Sequence, residues 1–219
     1  MFDELEKKTK AVIIDYGSGN LKSVFNAFKL AGFGDVKVTR DFNDLLLSTH
    51  IILPGVGSFS DCMNGLVALP GMIEALQDAV IKKKKPFLGI CVGMQLMASY
   101  GKENGTTKGL DWISGVVVKI TPKDPVLKIP HMGWNNINFN KKLHPIWKKF
   151  ISGPHAYFVH SYQFIPTNKD AVLATTDYGE NITAVVGVEN IIGTQFHPEK
   201  SQKFGQSFIK EFLMWDGKI

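Results

Sequence analysis

Cysteine is nearly absent: among 219 residues only Cys62 and Cys91 carry a thiol. Two thiols cannot build a disulfide framework, so a reducing cytoplasm is the expected home, and each cysteine has to be judged on its own chemistry. No apolar run approaches the ~20 residues of a bilayer span. The charged start from Met1 to Lys10 does not read as a secretory signal either. Internal repeats, low-complexity tracts and long linkers are also missing, and the length suits one sizeable core, so a single domain is expected. The six histidines show no metal-ligand spacing; His155 and His160 would point to opposite faces of a strand. Neither a metal nor a cofactor is expected.

What is present in excess is positive charge, a net +5. Its densest run, Lys82 to Lys85, ends a helical pattern of Met72, Ile73, Leu76, Ala79 and Val80. Lysines there complement the helix dipole, and no aromatic residues are interleaved for base stacking. A solvated helix end is the reading, and nucleic acid is not expected as a partner. Hydrophobic residues at 44% and charged residues at 21% are ordinary for a globular chain.

Strand and helix signals alternate as in an α/β domain. Ala11 to Asp15 reads as a buried strand, followed by a helix with Leu21, Val24, Phe25, Phe28 and Ala31 on one face and Gly32 as its stop. Short strands are expected at Val36 to Val38, His50 to Leu53 and Phe87 to Ile90. From about Gly115 to Ile137 the alternating, proline-interrupted pattern predicts antiparallel ribbons. Tyr157 to Phe164, Ala171 to Thr176 and Ala184 to Val188 predict further strands, and Phe204 to Met214 a closing amphipathic helix. Gly17-Ser18-Gly19 lacks the third glycine and the downstream acid of a dinucleotide loop.

The most informative stretch is Gly89-Ile90-Cys91-Val92-Gly93, after the apolar Pro86-Phe87-Leu88. A buried strand, a sharp turn between glycines and a helix make a nucleophile elbow, whose mechanics hold for cysteine as for serine. Backbone N–H groups at the helix start favour a thiolate. A buried cysteine used as a small hydrophobe would fit the same composition, and Cys62, without an elbow or a nearby base, is read that way. Near the C-terminus stands Gln195-Phe196-His197-Pro198-Glu199-Lys200. If the strand from Ile191 continues, His197 and Glu199 share a face, and Pro198 sets them at a strand end or sheet edge. A His-Pro-Glu turn alone carries no chemistry. Together with the cysteine elbow it predicts a Cys91–His197–Glu199 triad: nucleophile, base and orienting carboxylate.

Gly-Ile-Cys-Val-Gly-Met-Gln with the distant Gln-Phe-His-Pro-Glu resembles the class I (triad) glutamine amidotransferases. Further runs resemble one branch of them, the glutaminase subunits of imidazole glycerol phosphate synthases. These are Asp15-Tyr16-Gly17-Ser18-Gly19-Asn20-Leu21, Leu53-Pro54-Gly55-Val56-Gly57-Ser58-Phe59, His131-Met132-Gly133-Trp134-Asn135, His160-Ser161-Tyr162 and His197-Pro198-Glu199-Lys200-Ser201. The motifs run in family order over nearly the whole chain. The resemblance implies a flavodoxin-like α/β fold with a mostly parallel central sheet and an added antiparallel ribbon, over residues 11–219, with an N-terminal extension at 1–10.

It also implies that glutamine is hydrolysed through a thioester on Cys91, with Gly55, Gln95, Ser161 and Tyr162 about the substrate. Elbow geometry makes the Val92 N–H one oxyanion donor. By resemblance the other is the Val56 or Gly57 amide, in a glycine loop able to turn a peptide when a partner or its ligand binds. The implied partner is a cyclase, a (β/α)₈ barrel, in a heterodimer of histidine biosynthesis, contacted through Trp134, Tyr157 and Lys200. Three other readings remain open: a paralogue feeding surface-sugar amidination, a cysteine hydrolase of the same fold, and an inactive interaction module.

Overall fold

The computed structural model describes residues 9–32, 34–139, 144–150 and 154–219. The N-terminal extension expected over 1–10 lies mostly outside the described residues, and Lys10 already opens the first strand. The parallel strands are β1 (Lys10–Ile14), β2 (Asp35–Thr39), β3 (His50–Gly55) and β4 (Phe87–Cys91). Two short strands, β5 (Tyr100–Gly101) and β6 (Thr107–Lys108), precede β7 (Gly115–Lys119), β8 (His131–Asn136) and β9 (Asn138–Phe139). Then come β10 (His155–His160), β11 (Tyr162–Pro166), β12 (Val172–Asp177), β13 (Asn181–Val188) and β14 (Ile191–Thr194).

The main sheet has eight strands in the order β2-β1-β3-β4-β14-β13-β12-β9. The first five are parallel, in the flavodoxin-like order, and the last three add on antiparallel. Strands covered on both faces need continuous apolar runs, and every residue of β3 and β4 is buried. Helices α1 (Leu21–Leu30), α2 (Phe42–Leu47), α3 (Phe59–Val67) and α4 (Met72–Leu76) lie between the first four strands in the chain. The first is capped by Asn20, whose side chain accepts from the Ser23 N–H, and is followed by Gly32 at φ +79°. One turn, α5 (Val92–Gln95), follows β4, and α6 (Gln202–Met214) closes the chain. No helix among the described residues is long and apolar enough to cross a membrane.

The ribbons expected between Gly115 and Ile137 are present: β7 pairs antiparallel with β11, and β8 with β10. Two expectations need correction. Tyr157 to Phe164 is not one strand; it breaks at Ser161 into β10 and β11, which belong to different sheets. That break turns backbone into the site described below. The lysine run is also more than a solvated helix end. Lys83 pairs with Asp78 at 2.7 Å, Lys84 pairs with Glu189, and Lys85 donates to the carbonyls of Leu45, Leu46 and Ser48 at the close of α2.

Candidate active site

Strand β4 delivers Cys91 into a backbone conformation of φ 54°, ψ −110°. A non-glycine residue there is strained, and the strain persists only because the surroundings enforce it. Gly89 and Gly93 show how. A Cβ on Gly93 would lie 1.8 Å from the Leu53 carbonyl oxygen, and one on Gly89 2.6 Å from that of Gly93. Only glycine lets strand and turn approach so closely. The helix expected beyond the elbow is the single turn α5, so the aligned dipole at the sulfur is short.

His197 and Glu199 do meet, by a different route from the one the sequence suggested. Strand β14 stops at Thr194, whose hydroxyl donates to the Phe196 carbonyl at 3.0 Å, and the two residues do not share a strand face. Instead a 3₁₀ turn, Pro198–Lys200, folds Glu199 back so that His197 Nδ1 lies 2.8 Å from its Oε1. The turn is pinned: the His197 N–H donates to the Tyr157 carbonyl at 3.0 Å, and Ser201 Oγ donates to the His197 carbonyl at 2.7 Å. A carboxylate can only accept, so Nδ1 carries a proton and Nε2 is the nitrogen left to face Cys91. Burial works against charge on this ring. The negative charge of ionised Cys91, the hydrogen bond to its sulfur and Glu199 outweigh that, and raise the His197 pKa to about 10.

Cys91 and His197 open onto one cavity of about 320 Å³, lined also by Val92, Gln95, Glu103, His160, Ser161 and Tyr162 among others. Its size suits a small polar molecule. Gln95 Nε2 donates to the Tyr162 carbonyl at 3.1 Å and to Gln195 Oε1 at 2.9 Å, and Gln195 Nε2 points at Cys91 Sγ, 3.7 Å away. This arrangement suits attack on a carboxamide by a thiolate whose proton goes to His197.

The profile of the family described as "Glutamine amidotransferase class-I" matches residues 12–215. The chain belongs to the class I glutamine amidotransferases. Similar proteins include the imidazole glycerol phosphate synthase subunit HisH of Brucella melitensis biotype 1, 51% identical over 94% of this chain and 99% of that one. The proteins of that name from Zymomonas mobilis and Bradyrhizobium diazoefficiens are 46% and 52% identical, over 96% and 93% of this chain and 98% and 97% of theirs. Among solved structures, one described as a glutamine amidotransferase superposes with a TM-score of 0.70 at 16% identity, covering 93% of this chain and 99% of that one. PurLQS from Thermotoga maritima gives 0.68 at 19%, over 94% and 98%. At such identities these two speak for the amidotransferase fold alone.

Of the expected oxyanion donors, Val92 begins the turn directly after the nucleophile. Val56 and Gly57 line the cavity, but the Val56 N–H donates to Ser18 Oγ at 3.1 Å, and the same hydroxyl donates to the Val56 carbonyl. The Gly57 N–H lies across its trans peptide from that carbonyl and so turns away from Ser18. Gly57 has φ +105° with open space where a Cβ would be. Gly55 is buried at the end of β3, opposite Cys91 in register, and does not line the cavity. A Cβ there would lie 2.5 Å from Tyr16 Oη, so this glycine serves close packing behind the site.

Sequence reasoning missed Glu103, which lines the cavity and is steadied by the Phe59 N–H at 2.8 Å from its Oε2. The 44-residue separation left no local signal for it. Gln195 had one: it stands two residues before His197 in an unbroken run. Trp134, Tyr157 and Lys200 form one patch beside the site. The Trp134 and Tyr157 rings meet edge-on at 6.0 Å, and Lys200 Nζ lies 5.7 Å over the Tyr157 ring. Trp134 is 46% exposed.

Proposed function

We propose that this chain is the glutaminase subunit of an imidazole glycerol phosphate synthase. It hydrolyses glutamine to glutamate and ammonia, and passes the ammonia to a cyclase, a (β/α)₈ barrel docked on the Trp134 patch. The observation that carries the reading is the convergence of the strained Cys91 elbow and the Glu199-oriented His197 on one small polar cavity. Relatives 46–52% identical that bear the synthase name favour this branch over a sugar-amidinating paralogue.

His197 takes the Cys91 proton, and the thiolate attacks the side-chain carbonyl carbon of glutamine. Charge gathers on the carbonyl oxygen, and backbone N–H groups answer it: Val92, with Gly57 or with Val56 once its peptide leaves Ser18. The intermediate collapses, His197 gives its proton to the nitrogen, and ammonia departs from a γ-glutamyl thioester. Water, deprotonated by His197, then releases glutamate and restores the thiol. Gln95 and the Ser161–Tyr162 backbone hold the α-amino and α-carboxylate groups, and the Glu103 carboxylate adds an anion for the ammonium.

The test is glutamate release from glutamine by this chain, alone and with a cyclase plus its nucleotide ligand, beside Cys91→Ser. Strong stimulation by the partner, lost in Cys91→Ser, is the expected result. Glutaminase indifferent to that cyclase would move the chain to another ammonia-consuming pathway.

A further inference from the structure

Running back from the wall of the glutamine pocket, which His160 helps to line, two buried histidines form a hydrogen-bonded chain that the triad does not use. His160 Nδ1 lies 2.8 Å from the Tyr162 carbonyl, His160 Nε2 lies 3.0 Å from His131 Nδ1, and His131 Nε2 lies 3.3 Å from Asn135 Nδ2. Asn135 is fixed at both ends of its amide: its Oδ1 accepts the Asn136 N–H at 2.8 Å, and its Nδ2 donates to the Asp177 carbonyl at 2.7 Å.

These anchors permit a single proton arrangement. Asn135 Nδ2 can only donate, so His131 Nε2 must accept, which makes His131 a neutral ring protonated at Nδ1. His131 then donates to His160 Nε2, and His160, protonated at Nδ1, donates to the Tyr162 carbonyl. Every bond points the same way, from β8 towards the pocket. Burial agrees, pushing the pKa of His131 down to about 4 and that of His160 to about 3. The receiving carbonyl is also the acceptor for Gln95, which in turn engages Gln195 beside Cys91. At the far end, Asn135 is the neighbour of Trp134 on β8.

We propose that Asn135, His131 and His160 are positioning residues, a one-way hydrogen-bond relay that sets the Tyr162 carbonyl and Gln95 for glutamine and ties the pocket to the strand bearing Trp134. The proposal rests on the reading of the cavity as the glutamine site.

Packing alone offers a rival account, since the His131 ring stacks on Phe158 and on Tyr178, with centroids 4.8 and 4.0 Å apart. Two substitutions separate them. His131→Phe keeps an aromatic ring but breaks the relay; His131→Gln loses the ring but can accept from Asn135 and donate to His160. Glutaminase of each variant would be measured in complex with the cyclase, with folding followed by thermal unfolding. The relay predicts that His131→Phe raises KM for glutamine roughly threefold to tenfold, the range one net hydrogen bond converts to, with a smaller change in kcat. His131→Gln should return KM most of the way. The reverse order, with Phe close to wild type and Gln impaired, would overturn the relay in favour of packing. Imidazole ¹⁵N spectra of the wild type give an activity-independent check: both rings should be protonated at Nδ1 and bare at Nε2, and an Nε2 proton on either overturns the arrangement. A wild-type complex that releases no glutamate would instead overturn the glutamine-site reading beneath it.

Discussion

In the proposed mechanism His197 accepts a proton from a thiol and later delivers one to a departing amine, and its neighbours set how firmly it holds that proton. Burial alone would keep the ring neutral; ionised Cys91 and the Glu199 carboxylate reverse this and raise its pKa from the ordinary 6.5 to about 10. A pKa raised by folding stabilises the native state in full below about pH 6.5, and that contribution is lost as pH climbs through about 10. Glu199→Gln removes one of the causes. Its His197 should titrate at lower pH, its stability should fall off earlier on the alkaline side, and kcat should drop by about 10²–10⁴ through loss of ring orientation. An NMR titration of His197 beside pH-dependent thermal unfolding checks the first two, and steady-state glutaminase the third. The clustering of Cys91, His197 and Glu199 was legible in the sequence because each sits in a compact local motif. Glu103 and the His131–His160 pair were not, because chain segments 44 and 29 residues apart bring each to its partner.

The elements carry strain to one point. Close contact of β3, β4 and α5 leaves no room for a Cβ at Gly93, where it would lie 1.8 Å from a backbone oxygen. Gly93→Ala should therefore cost about 3 kcal/mol or more, since neither strand can yield, and should abolish glutaminase by relaxing the elbow. Gly105→Ala is the control: φ is +109° but nothing lies within 4 Å of the added carbon, so about 1–2 kcal/mol of backbone strain is expected with activity kept. Urea unfolding midpoints of the two variants compare them directly. The elbow glycines were readable from spacing alone. The 3₁₀ turn at Pro198–Lys200 was not: a period-two reading put His197 and Glu199 together correctly but assigned them to a strand that ends at Thr194. The split of β10 from β11 escaped for a similar reason, since nothing in Tyr157 to Phe164 marks Ser161 as the point where one sheet is left for another.

At the scale of the whole molecule, the parallel half of the sheet presents Cys91, while the end of β10 and the start of β11 line the cavity and β8, paired with β10, carries the face proposed for the partner. Trp134 and Met132 are 46% and 65% exposed on one face of β8, with His131 buried on the other. Trp134→Ala should weaken cyclase binding by about 2 kcal/mol, roughly thirtyfold in Kd, with little change in folding stability. Lys200→Ala should weaken it less, as a charged contact at a rim, and calorimetric titration measures both. A Lys200→Ala protein equal to wild type in partner affinity and coupled activity would remove Lys200 from the interface. The central claim, that Cys91 carries the substrate's acyl group, is tested most directly by acid-quenching the cyclase complex during turnover of glutamine and mapping covalent adducts by mass spectrometry. A single γ-glutamyl group on the peptide containing Cys91, absent in Cys91→Ser, is the predicted result. Turnover that leaves Cys91 unmodified under every quench, or that marks Cys62 instead, would contradict it.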